Sequence, residues 1–104
     1  SAGHRPGYSK YRLSWNARRG YAVTVGKYGD KEIDFIAARG KEKIYVQVTY
    51  LLASEQTMER EFGVLEEIRD NYPKYVVSLD EFDRGRNGIR HRNIRDFLLE
   101  KSWT

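Results

Sequence analysis

Three β-rich runs separated by short glycine turns constrain this chain most. Tyr21-Ala22-Val23-Thr24-Val25 is followed by the turn Gly26-Lys27-Tyr28-Gly29-Asp30. A second run from about Glu32 to Ala38 is followed by Arg39-Gly40-Lys41-Glu42, and a third extends from Lys43 to Leu51. β-branched and aromatic residues favour strands, and connections this short join antiparallel neighbours. A three-stranded meander is therefore expected.

The next segment changes period. Met58, Phe62, Leu65 and Ile68 recur at helical spacing, so a helix is expected from Glu55 to Asp70, with Ser54 or Thr57 as its N-cap and Asn71-Tyr72-Pro73 as its stop. Tyr75 to Leu79 reads as a fourth strand. A helix between two strands implies a parallel pair joined by a right-handed crossover. Asp80 to Arg92 reads as a polar loop with two glycines, after which Asn93 can cap a last helix through Ile94, Phe97 and Leu98. At the front, residues 1–8 read as a loose lead-in or a leftover of expression. Ser9 can cap a first helix to Arg19 carrying Tyr11, Leu13, Trp15 and Ala17. The expected order is α-β-β-β-α-β-α, an α/β (α+β) fold with a small mixed four-stranded sheet flanked by helices. The chain of 104 residues has room for one such domain, at 9–104.

Composition narrows the function classes. The chain is 39% hydrophobic and 33% charged, which argues against disorder, and no run reaches the roughly 18 apolar residues of a membrane helix. The opening residues have no apolar signal-peptide core. There is no Cys, and only His4 and His91, so thiolate and His-based metal sites are not expected. A cytoplasmic protein fits this usage. The net charge of +4 is compatible with nucleic-acid binding.

Alternation places candidate chemistry on the central strands. Ile33, Phe35 and Ala37 should share one face of the second strand, and Glu32, Asp34 and Ile36 the other. On the third strand Ile44, Val46, Val48 and Tyr50 should oppose Tyr45, Gln47 and Thr49. Aligning the apolar faces brings Asp34 and Gln47 to one side. Element order and these two positions resemble the PD-(D/E)xK, restriction-endonuclease-like fold. That resemblance implies a site in which an Asp and a second acid hold Mg²⁺ and a Lys two residues on polarises water. Asp34 matches the Asp, Gln47 stands at the acid and Thr49 at the Lys. One anion and the cation are thus missing. Glu32 could serve as a second metal ligand beside Asp34, with Lys27 or Lys31 reaching in from the turn. The alternative is a buried Asp34 carboxylate bonded to Gln47, Thr49 or backbone amides. No catalytic residue is assigned with these substitutions.

A narrower resemblance covers most of the chain. The blocks RGYAVTVGKYGDKEIDFIA, KIYVQVTYLL, EREFGVLEEIRDNYPKYVVSLDEF and GIRHRNIRDFLL are similar to the C-terminal domain of bacterial and archaeal AAA-type ATPases, an uncharacterised domain placed among PD-(D/E)xK-like folds. The resemblance implies an N-terminal ATPase module of the same protein as partner. It also implies that the Gln-for-Glu change is a family trait. The Asp34/Gln47 pair favours a domain that serves docking, oligomer assembly or substrate recognition without catalysis or a cofactor of its own, the alternative being a DNA-acting enzyme with Glu32, Asp34 and Gln47 around Mg²⁺. ATP binding does not follow for these residues. Gly20 to Lys27 has five residues between its glycines, Tyr28 in place of Ser/Thr, and a strand across it, so it is no phosphate-cradling loop.

Three further features are weighed. Arg84, Arg86, Arg90, Arg92 and Arg95 crowd one stretch and could bind DNA phosphates, or pair with Asp80, Glu81, Asp83 and Asp96. Glu59, Glu61, Glu66 and Glu67 read as a solvated acidic face of the main helix, or one that meets a basic partner. Trp103 reads as a residue near a frayed end that could dock onto a neighbouring domain.

Overall fold

The computed structural model of the chain describes residues 20–104. The lead-in and the helix expected before Gly20 lie outside the described residues. The elements are β1 (Ala22–Tyr28), β2 (Lys31–Arg39), β3 (Glu42–Val48), α1 (Glu55–Glu66), β4 (Lys74–Ser78), β5 (Arg90–Asn93) and α2 (Ile94–Leu99). They form a mixed five-stranded sheet in the order β1-β2-β3-β4-β5. β1, β2 and β3 make the antiparallel meander, while β3, β4 and β5 run parallel.

The fifth strand corrects the four-stranded expectation. It lies inside the stretch read as a polar loop. Its residues, Arg-His-Arg-Asn, have no apolar alternation, because β5 is a short edge strand that pairs with β4 through its backbone. Just before it, Arg86 and Ile89 close a two-residue hairpin, with Asn87 at φ 51° and Gly88 at φ 81°. Asn-Gly suits a turn that needs left-handed backbone at both central positions. That dipeptide was the available sequence signal.

Two apolar layers sandwich the sheet. On one face Tyr21, Phe35, Ala37, Ile44, Val46, Val48, Tyr75 and Val77 pack with Phe97 of α2 and Trp103. On the other, Ile33, Tyr45, Leu52, Val76 and Ile89 pack against Phe62 and Leu65 of α1 and against Ile68. α1 begins as expected, with the Ser54 hydroxyl accepting from the Thr57 amide, but ends at Glu66 rather than Asp70. Asn93 caps α2 by accepting from the Arg95 amide at 2.9 Å.

Strict alternation on β2 fails at one place. Thr24 pairs with Ile36 and Gly26 with Ile33, so Asp34 and Phe35 together oppose Val25. This β-bulge inserts one extra residue and reverses the facing of what lies beyond it. Ile33 therefore packs towards α1, although Phe35 and Ala37 pack towards α2. Gly26, expected in a turn, lies inside β1 opposite this irregularity. A Cβ there would stand 2.3 Å from Ile36 Cδ1 and 3.3 Å from Ile33 Cβ.

Trp103 is a core residue, which corrects its assignment to a frayed, docking end. Its ring stacks on Phe97 at 4.8 Å, with 7° between the planes. Its indole N–H donates to the Phe97 carbonyl at 2.7 Å, and its own carbonyl accepts from the Tyr75 hydroxyl at 2.8 Å. Both polar ends of a buried aromatic pair are thereby satisfied. Trp103→Ala should cost about 3–5 kcal/mol of unfolding free energy, read from urea denaturation. Gly26→Ala should cost about 1–3 kcal/mol in the same assay, because Ile36 must leave its place to admit the methyl group.

Candidate functional site

The site begins where the β2–β3 ladder stops. Its last pair before the bulge is Phe35 with Val46, which places Asp34 opposite Gln47 at the next step. There the two side chains take over from the backbone. The Asp34 amide donates to Gln47 Oε1 at 2.7 Å, and the Val48 amide donates to Asp34 Oδ2 at 2.8 Å. Each strand thus satisfies the other's backbone through a side chain, and the seam stays closed where ordinary pairing has ended.

α1 completes the arrangement. Gln47 is buried, and its Nε2 donates to Glu61 Oε1 at 3.3 Å. Glu61 is fully buried, so it is not part of a solvated acidic face. Its other oxygen accepts from Arg60 Nε, also at 3.3 Å. Burial pushes the Glu61 carboxyl above the usual carboxylate range, the Asp34 charge adds to the rise, and Arg60 offsets part of it. Sequence reasoning missed Glu61 because it precedes Phe62 and sits among other acids. Its position within the helical period, immediately beside the apolar stripe, was the signal available.

Above these groups lies an open cleft of about 420 Å³, lined by Lys31, Glu32, Gln47, Glu59, Arg60 and Val64. Glu32 is exposed on its rim. Lys31 also lines the cleft but is drawn to Glu67 at 2.6 Å. Lys27 pairs with Glu32 across β1–β2 and is exposed. Thr49 is buried, and its amide donates to the Val77 carbonyl at 3.0 Å, extending the parallel seam with β4. Among the described residues, no three His, Asp or Glu side chains gather closely enough to hold a metal ion.

The arginines are distributed over both faces of the sheet. Arg86 binds Glu66 at 2.9 Å and Glu59 at 3.1 Å on α1, with Phe62 beneath its guanidinium. Arg90 donates to the Tyr75 hydroxyl, and Arg92 pairs with Glu100 at 2.8 Å, both on the α2 side. Arg84 is exposed in the connection between β4 and β5. The acids that pair with Arg86 and Arg92 come from α1 and from the residue after α2, while the Arg84 charge acts on Asp80 alongside it in sequence. A loop that folds back as a strand brings its cations against the helix faces on either side.

No family model matches the chain. An uncharacterized protein of Haemophilus influenzae is 40% identical to it over 84 residues, which are 80% of this chain and 20% of that protein. The match therefore spans about a fifth of the relative's length. No described helix is long and apolar enough to cross a membrane.

The buried acid yields a pH-dependent prediction. A carboxyl whose folded pKa is raised contributes its full stability below the unfolded value, near 4.5, and loses it as pH rises through the folded value. Glu61→Gln should therefore stabilise the protein at pH 7, and the gain should vanish near pH 4, as measured by urea midpoints at the two pH values.

Proposed function

We propose that this chain is a non-catalytic, nuclease-like accessory module of an AAA-type ATPase, used for docking or assembly within the longer protein. The observation that carries this reading is the exchange of hydrogen bonds between Asp34 and Gln47. One Asp34 oxygen accepts a backbone amide, and the position of the second acid is a neutral amide whose oxygen is already engaged. Mg²⁺ is a hard ion that takes carboxylate oxygens and waters in near-octahedral geometry. The third group, Glu61, is shifted towards its neutral form and engaged by Gln47 and Arg60. This donor set does not fit the ion, and Thr49 supplies no cation for an attacking water. The order of the meander, crossover helix and parallel strands supports nuclease-like ancestry. The resemblance of four ordered sequence blocks supports the ATPase setting, and a relative about five times longer than the matched region supports a place within a longer protein.

The docking half has its own support. Tyr50, Leu51 and Leu79 are exposed at 65%, 45% and 44%, around a hydrogen bond from the Leu79 amide to the Tyr50 carbonyl, and Phe82 follows at 77%. Single exposed apolar residues are ordinary, but several at one end of a sheet suit a covered surface. The arginines of the 84–92 stretch favour structural pairing over DNA, because Arg86 and Arg92 already hold carboxylates.

Calorimetric titration with Mg²⁺ and Mn²⁺ tests the site. The wild-type chain and Asp34→Ala should give the same absence of binding heat, and neither should nick plasmid DNA. Binding that disappears in Asp34→Ala would restore the alternative, a Mg²⁺-dependent nuclease with a reduced site. Asp34→Ala should also lose about 1–3 kcal/mol of stability by stranding the Val48 amide. For docking, the matching fifth of the Haemophilus influenzae relative, expressed apart from the remainder, should co-purify with it.

A further inference from the structure

The connection from β4 to β5 is tied to the sheet by one ring. His91 of β5 is 2% exposed. The Arg84 backbone N–H donates to His91 Nδ1 at 2.9 Å, so Nδ1 carries no proton and the neutral ring holds its hydrogen on Nε2. Nε2 lies 2.7 Å from Ser78 Oγ, which donates in turn to Asp80 Oδ2 at 2.8 Å. Asp80 also accepts from the Leu52 amide at 2.6 Å. One continuous relay thus joins the Arg84 amide, His91, Ser78, Asp80 and the segment leading into α1.

This relay works in one protonation state. An imidazolium carries a hydrogen on both nitrogens, so its Nδ1–H would point at the Arg84 N–H, donor against donor. We propose that His91 is a proton-operated latch that pins the 80–85 stretch when neutral and releases it when protonated. The groups around the ring set the balance. Burial and the Arg84 charge oppose protonation, while Asp80, Asp83 and the Phe82 carbonyl favour it, with burial prevailing. Ser78 is the polar group β4 presents to the ring. α1 directs Glu59 and Glu66 to Arg86, and Arg90 and Arg92 leave β5 on its other side, towards Tyr75 and Glu100. On release, the Phe82 side chain, 77% exposed, and Arg84 become free to move together. The Arg86 and Asn87 contacts with Glu66 hold the hairpin beyond, so opening is confined to the first half of the connection.

The test is nitrogen NMR of the intact chain from pH 7.5 to 5, with hydrogen exchange of the Arg84 amide. His91 should be the Nε2–H tautomer at pH 7 and titrate below the ordinary 6.5. As pH falls from 6.5 towards the lower midpoint of the pinned ring, Arg84 exchange corrected for intrinsic rates should rise by up to about tenfold per pH unit, as one-proton linkage requires, and level off below that midpoint, while Val46 exchange stays unchanged. His91→Asn places an acceptor oxygen near Nδ1 without a titrating group, so Arg84 protection should become pH-independent. A proton on Nδ1 at pH 7 would overturn the proposal, as would titration of His91 without release of Arg84. PH dependence persisting in His91→Asn would do the same. If that variant does not fold, the wild-type titration decides alone.

Discussion

Asp34 and Gln47 hold together the seam on which the sheet depends. Backbone pairing between β2 and β3 ends at Phe35 and Val46, where a bulge has put two residues against one. Without further partners the Asp34 and Val48 amides would be left unpaired between two apolar layers, at a cost comparable to a lost hydrogen bond each. The two side chains satisfy both amides. β3 can then continue into its parallel pairing with β4, where Thr49 bonds to Val77 and Leu79 to Tyr50. Two polar side chains at central strand positions are thus the ones that keep the strands joined.

The same interaction fixes where α1 sits. Gln47 has one more donor, and Glu61 receives it from the helix above. Burial, and after it the neighbouring Asp34 charge, make an ionised Glu61 unfavourable, and its raised affinity for a proton is the response. Arg86 and Asn87 then clamp the far side of α1 through Glu59 and Glu66, so the helix is held by a buried polar contact at one edge and charged contacts at the other. On the opposite face Phe97 and Trp103 stack within the core, where the Trp103 indole donates to the Phe97 carbonyl and Tyr75 donates to the Trp103 carbonyl.

Much of this architecture was legible. The short glycine turns specified the meander, the Met58, Phe62, Leu65, Ile68 stripe specified the helix, and Ser54 and Asn93 marked the two caps. The parallel relation of β3 and β4 followed from the helix between them. Asp34 facing Gln47 was legible from period-two alternation. The neighbour Ile33 was misplaced by the same rule, because a bulge leaves no mark in the hydrophobic pattern when the residues on both sides of it are apolar. β5 was missed because an edge strand made of Arg, His and Asn carries no apolar period and owes its form to the backbone of β4.

The sequence by itself determined the local elements, since turn chemistry, capping and periodicity act between residues close along the chain. It also determined that the central polar positions Gln47 and Thr49 are uncharged whatever the fold. Tertiary structure alone decided the roles of Glu61, Arg86, His91 and Trp103. Each takes its meaning from partners on other elements or turns of the chain: Gln47, the α1 acids, Ser78 and Arg84, and Phe97 with Tyr75. A buried carboxyl, a clamped cation, a ring held in one tautomer and a stacked indole arise from packing, which sequence spacing does not encode.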